Sequence, residues 1–233
     1  KRKYYLEKIK PFIDKDIIKV VVGQRRVGKS YLLFQIMDII RKQNKTANII
    51  YINKELNEFE YIKNYQDLID FVKQQSKAKR KNYLFIDEIQ DIKNFEKALR
   101  SFNVQANYDI YITGSNAKLL SGELATHLSG RYIEIKVFSL SYEEFLFFHK
   151  LKEDKEAFLK YIKYGGLPYL INLELSDEIV YDYLRNVYNT ILFKDVVARH
   201  KIRNTSFLER LVEYLADNTG SLVSAKKISD FLK

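Results

Sequence analysis

Apolar and polar positions follow two rhythms along this chain, and each change of rhythm marks an element. Ile17 to Val22 is a short apolar run closed by Gly23, the pattern of a strand buried on both faces. Ser30 to Arg41 then carries Leu32, Leu33, Ile36, Ile39 and Ile40 at helical spacing and ends in basic residues, favourable at a helix C-terminus. The alternation continues with a strand expected at Asn48 to Ile52, a helix at Tyr65 to Gln75 and a charged turn at Lys77 to Lys81. A strand at Tyr83 to Ile86, a helix at Phe95 to Gln105 and a strand at Asp109 to Ile112 follow. A short helix is expected near Lys118 to His127 and a fifth strand at Tyr132 to Val137. Ser141 with Glu144 three residues on has capping-box spacing and predicts a helix to His149.

Buried strands alternating with helices predict an α/β fold, a parallel sheet with helices on both faces. In such sheets ligands bind at the carboxyl ends of the strands, where the notable polar residues fall. From about Leu151 the strand signal stops. Glu156 to Tyr164, Asp177 to Phe193 and Phe207 to Ala216 read as helices, with a Gly165-Gly166-Leu167-Pro168 turn after the first.

Gly23-Gln24-Arg25-Arg26-Val27-Gly28-Lys29-Ser30 satisfies G-x-x-x-x-G-K-[ST], a P-loop. Its glycines let the backbone curl so that successive N–H groups face phosphate oxygens, and the helix that opens with Ser30 and Tyr31 adds the positive end of its dipole. Lys29 is expected to reach the β- and γ-phosphates of a nucleotide and the Ser30 hydroxyl to ligate Mg²⁺. A chance glycine-rich turn would not also sit between a buried strand and a helix.

Tyr83 to Ile86 delivers Asp87 to a strand end, where a carboxylate can hold the Mg²⁺ shell, and Glu88 can polarise the attacking water as general base. Alone, the pair would be an ordinary helix-start couple; beside a P-loop the catalytic reading gains. Thr113-Gly114-Ser115-Asn116 ends the fourth strand, and either Ser115 or Asn116 suits a sensor of the γ-phosphate or water. A capped turn uses the same residues. Arg131 precedes the fifth strand, either as an arginine stabilising the γ-phosphate, in its own or a neighbouring subunit, or as a surface side chain. Arg25 and Arg26 suit phosphate, a partner or solvent. His127, His149 and His200 lack metal-ligand spacing and read as structural.

Composition narrows the setting. The absence of cysteine removes disulfides, thiolate metal sites and cysteine nucleophiles, and fits a cytoplasmic protein. No apolar run approaches the roughly 18 to 20 residues that span a bilayer. The net charge of +10 suits a polyanion such as DNA, yet it is spread along the chain, and abundant Lys, Asn, Ile and Tyr also follow from AT-rich codon choice. A start at Lys1-Arg2-Lys3 and an end at Lys233 in mid-pattern read as a fragment.

Together GQRRVGKS, YLFIDEIQ, YITGSN and LSGRYIEIKVFSLSYEEFL resemble the AAA-type ATPases of bacteria and archaea, and YIKYGGLPYLIN and ILFKDVVARHKI resemble the helical region after their core. The resemblance implies a P-loop ATPase core over residues 1–150, a helical lid over 151–205 and the start of a winged-helix domain over 206–233. It further implies that the strand ending at Thr113 lies between the P-loop strand and the Asp87 strand, that ATP is the nucleotide, and that Arg131 is the family's arginine. Two function classes follow: an oligomeric ATP-driven machine acting on DNA or protein, and a slow switch that changes its protein partner. A phosphotransferase is disfavoured, because Glu88 is placed to activate water.

Overall fold

The computed structural model describes residues 1–105, 107–114, 128, 130–197, 202 and 204–232. Its centre is one parallel sheet of β1 (Ile18–Gly23), β2 (Asn48–Asn53), β3 (Asn82–Asp87), β4 (Tyr108–Gly114) and β5 (Tyr132–Val137), in the order β2-β3-β4-β1-β5. β4 therefore lies between the P-loop strand and the Asp87 strand, as the resemblance implied. Ile112 pairs with Val20 on one side and with Ile86 on the other, which brings the carboxyl ends of β1, β4 and β3 level.

Side chains two apart along a strand share a face, and each face has its own helices. Val20, Val22, Leu84, Ile86 and Ile112 pack with α3 (Tyr65–Gln75) and α4 (Phe95–Val104). Val21, Phe85, Tyr111 and Val137 pack with α1 (Lys3–Ile9) and α2 (Lys29–Gln43). Leu32, Leu33, Ile36 and Ile40 of α2 are almost wholly buried, each contributing about 1.5–3 kcal/mol. Packing of this stripe, rather than helix propensity, holds α2 on the sheet.

The structure adds two features to the expected pattern. α1 was not anticipated: at seven residues it is too short for a periodic signal, yet Tyr5, Leu6 and Ile9 are buried. Within β1, Lys19 is fully buried and its ammonium is paired with the equally buried Asp109 of β4. Asp109 also accepts the Tyr111 hydroxyl at 2.9 Å and the Asp14 N–H at 2.8 Å, and the Tyr83 hydroxyl donates to Asp14 at 2.7 Å. Burial pulls the Lys19 pKa down, with the Asp109 carboxylate acting against it.

Contacts divide the chain into Lys1–Leu173 and Glu174–Lys233. The first unit includes α5 (Tyr142–His149), whose Ser141–Glu144 capping box is formed as the spacing predicts, and α6 (Lys155–Tyr164). In the second, α7 (Asp177–Thr190) passes into a π-helical turn at Ile191–Val197. There α8 (Thr205–Asp217) and α9 (Ala225–Leu232) form a pair, with Arg210 donating to the Phe231 carbonyl at 2.9 Å. The helix expected near Lys118 to His127 lies outside the described residues. Among those described, no helix is long and apolar enough to cross a membrane.

Candidate functional site

β1 ends in a turn that only glycine permits: a Cβ on Gly23 would lie 2.4 Å from the Val137 carbonyl oxygen of β5. The loop then passes through positive φ at Arg26 (65°) and at Gly28 (92°), the N-cap of α2. Left-handed residues interleaved with right-handed ones turn N–H groups toward a common concavity, the kind that binds anions. The amino end of α2 adds partial positive charge there. Gln24 and Arg26 are exposed and Val27 is buried. Arg25 is half-buried, with Nη1 3.7 Å from Glu55 Oε1. Ser30 lies in the first turn of α2, and the Tyr31 ring next to it is largely exposed. The turn after α6 reaches the loop too, since a Cβ on Gly28 would lie 3.9 Å from Pro168 Cγ.

Lys29 opens α2 with a buried side chain. Its Nζ donates to the Gly23 and Gln24 carbonyls, both at 3.2 Å, and stands 3.6 Å from Glu88 Oε1. Asp87, at the end of β3, is 1% exposed. Its Oδ1 accepts the Thr113 hydroxyl, and its Oδ2 accepts the Tyr51 hydroxyl at 3.2 Å. Burial and the Asp87 carboxylate both push the Tyr51 pKa up, so Tyr51 stays a neutral donor. Glu88 sits at φ 56°, a left-handed conformation that costs a non-glycine residue about 1–2 kcal/mol. Its N–H donates to Thr113 Oγ1 at 3.1 Å, and its Oε2 accepts Gln90 Nε2.

Four of the expected residues, Gly23, Lys29, Asp87 and Glu88, thus meet at the carboxyl ends of β1 and β3. Arg131 is not among them. Its carbonyl accepts the Ile18 N–H at 3.0 Å, beside the first residue of β1, whereas the loop leaves the last. Five residues of strand, roughly 16 Å, separate it from the loop, beyond reach of an arginine side chain in the same chain. Ser115 and Asn116 lie outside the described residues. Three contributors were missed: Thr113, Tyr51 and Gln90. Thr113 had a signal, since strand order alone sets it beside Asp87; Tyr51 and Gln90 had none.

Comparison with known proteins bears on the family and the fold. A family model described as an AAA domain matches residues 15–146, and one described as a domain of unknown function (DUF8612) matches residues 155–233. An uncharacterised protein of Haemophilus influenzae is 40% identical over 240 residues, covering 99% of this chain and 59% of its own length. An uncharacterised protein of Methanocaldococcus jannaschii is 37% identical over 227 residues, covering 93% of this chain and 50% of its own. The chain spans about half the length of these curated relatives. Among solved structures, S. cerevisiae Hsp104 in its casein complex shares the fold, with a TM-score of 0.52 at 15% identity over 73% of this chain and 35% of that one.

Proposed function

Because the chain belongs to the AAA domain family, we propose that it binds Mg²⁺-ATP on the loop from Gly23 to Ser30 and hydrolyses it. The observation that carries this reading is that the Thr113 hydroxyl joins Asp87 to the Glu88 N–H while Lys29 faces the Glu88 carboxylate, at the carboxyl ends of three adjacent strands. The cradle suits phosphate, because positive φ at Arg26 and Gly28 curls the loop at the amino end of α2, where backbone N–H groups and the helix dipole favour an anion. A hydroxyl and a carboxylate, Ser30 and Asp87, are the oxygen donors a hard divalent cation takes.

In this mechanism Lys29 exchanges the Gly23 and Gln24 carbonyls for phosphate oxygens. Ser30 and Asp87 would hold Mg²⁺, which when bound would offset charge on the phosphates. Tyr51 and Thr113 fix the two Asp87 oxygens. Glu88 accepts the proton of the attacking water as its oxygen bonds to the γ-phosphorus and the bond to the β-phosphate oxygen breaks. Ser115 or Asn116 senses the γ-phosphate. Arg131, too far from the loop of its own chain, is assigned to the loop of a neighbouring copy, so the active form is a homo-oligomer.

The partner is DNA, reached through the C-terminal helices, or another protein; the compartment is the cytoplasm. One contact favours a second reading. The Glu88 carboxylate is engaged by Gln90 and faced by Lys29 rather than left to water, as suits a slow ATP-dependent switch acting on a protein partner. The test is phosphate release from Mg²⁺-ATP with and without duplex DNA, with Lys29→Ala as the blank. Stimulation by DNA supports the machine, and slow turnover indifferent to DNA supports the switch. Turnover equal to the blank removes hydrolysis.

A further inference from the structure

Arg2 lies outside every motif, in the basic run Lys1-Arg2-Lys3, yet it is only 6% exposed. A guanidinium has five N–H donors, and here all five find acceptors. Nε donates to Glu144 Oε1 at 3.0 Å and Nη2 to Glu144 Oε2 at 2.7 Å, the two-pronged pairing that a planar fork makes with a carboxylate. Nη2 also reaches the Ser139 carbonyl at 3.2 Å, and Nη1 the Phe138 carbonyl at 2.6 Å. The remaining Nη1 donor reaches the carbonyl of Val27 at 3.2 Å. The carbon of the guanidinium stands 4.5 Å from the Tyr5 ring centre, and the Tyr5 hydroxyl accepts the Phe138 N–H at 3.0 Å.

Val27 belongs to the loop between Gly23 and Ser30. In a trans peptide the carbonyl and the following N–H point in opposite directions, and the chain has no cis bond among its described residues. A Val27 carbonyl drawn to Arg2 therefore aims the Gly28 N–H away from Arg2. Were that carbonyl free to rotate, its oxygen could turn toward the phosphates and repel them.

We propose that Arg2 is a positioning residue for the triphosphate. It acts through the Val27–Gly28 peptide, holding the carbonyl back so that the Gly28 N–H is presented to a phosphate oxygen, while Glu144 locks the guanidinium in place. The inference rests on the ATP reading above. It links α1, the exit of β5 and the cap of α5 to the geometry of one loop peptide. The role needs arginine, because a lysine ammonium has three donors and no planar fork. The bland account is a buried brace between α1 and α5 whose contact with Val27 is incidental.

The experiment compares wild type, Arg2→Lys, Glu144→Gln and the double variant. It measures affinity for a fluorescent ATP analogue with Mg²⁺, the unfolding midpoint without nucleotide, and the Gly28 amide resonance in ¹⁵N-glycine-labelled protein, which has eight glycines to resolve. Arg2→Lys is expected to weaken binding about tenfold and to move the Gly28 resonance in the nucleotide-free protein. Glu144→Gln keeps the helix cap and should act in the same direction but less, and the double variant should be no worse than Arg2→Lys. A lowered midpoint with unchanged affinity and an unmoved Gly28 resonance overturns the proposal and leaves the brace. If Arg2→Lys does not fold, Glu144→Gln gives the same readouts. If wild type and Lys29→Ala bind the analogue alike, the ATP reading fails, and an unmoved Gly28 resonance would then overturn the Arg2 link separately.

Discussion

Thr113 and Asp87 share a hydrogen bond in a fully buried position, and the hydroxyl that donates to Asp87 also receives the Glu88 N–H at 3.1 Å. One oxygen on β4 therefore orients the carboxylate proposed to hold the metal and pins the strained backbone of the proposed base. Thr113→Val keeps the shape and removes both bonds, leaving a buried carboxylate oxygen and a buried N–H each short of a partner. Stability should fall by about 1–3 kcal/mol and turnover should fall further than stability explains, with Thr113→Ser restoring most of both. Thermal unfolding and phosphate release, measured on the same samples, decide it.

Glu88→Gln keeps the volume of the side chain and removes its basicity. Nucleotide binding should remain within a few-fold of wild type while turnover drops by about 10² or more. Lys29→Ala should lose binding itself. Titration with a fluorescent ATP analogue beside a phosphate assay separates the two, and normal turnover in the Gln variant would remove Glu88 from the chemistry.

Gly23→Ala places a methyl group against the Val137 carbonyl oxygen, a backbone atom held in the sheet. Either β5 or the loop must shift, at a cost of about 1–3 kcal/mol. Both the denaturant midpoint and nucleotide affinity should suffer, because the strand end and the cradle are the same residue. An unchanged midpoint would mean the sheet yields more easily than this contact suggests.

Alkaline pH should destabilise the first unit. Burial is the leading cause raising the pKa of Tyr51, Tyr83 and Tyr111, assisted at each by a nearby aspartate. Each is an acid whose folded pKa lies above its unfolded value near 10, so above about pH 10 the folded protein holds protons that the unfolded chain releases. Stability falls as pH rises. Lys19 and Lys54, whose pKa values burial lowers, act the other way only below the unfolded lysine value near 10.4, so the tyrosines set the slope above it. Ionisation of the buried tyrosines, the later part of the rise at 295 nm after the exposed ones have titrated, should coincide with unfolding, and Tyr111→Phe should flatten the alkaline limb.

The core strands were legible as apolar runs of four residues or more, and the core helices as periodic stretches of ten or more. The P-loop and the Asp87-Glu88 pair were legible because their chemistry needs fixed neighbours in sequence. What escaped depends on neighbours far along the chain. Lys19 looks like a polar interruption in an apolar strand until Asp109, ninety residues away, is set beside it. Thr113, which strand order sets beside Asp87, is an ordinary strand residue until its hydroxyl is seen to serve both Asp87 and the Glu88 N–H. Arg2 sits in a run of charges that reads as solvated, and its five acceptors come from three separate segments.

The place of β4 in the sheet has a mechanical consequence. The P-loop leaves β1 and the Asp87-Glu88 pair leaves β3, two strands that share no hydrogen bond and stand about 10 Å apart with β4 between them. β4 is thus the setting of a caliper. A ligand that touches both jaws would clamp the outer strands against the middle one and slow hydrogen exchange along Tyr108–Gly114, residues it need not contact. The jaw width depends on ladder bonds along the whole run of β4, so a substitution deep in the sheet can detune the site from below.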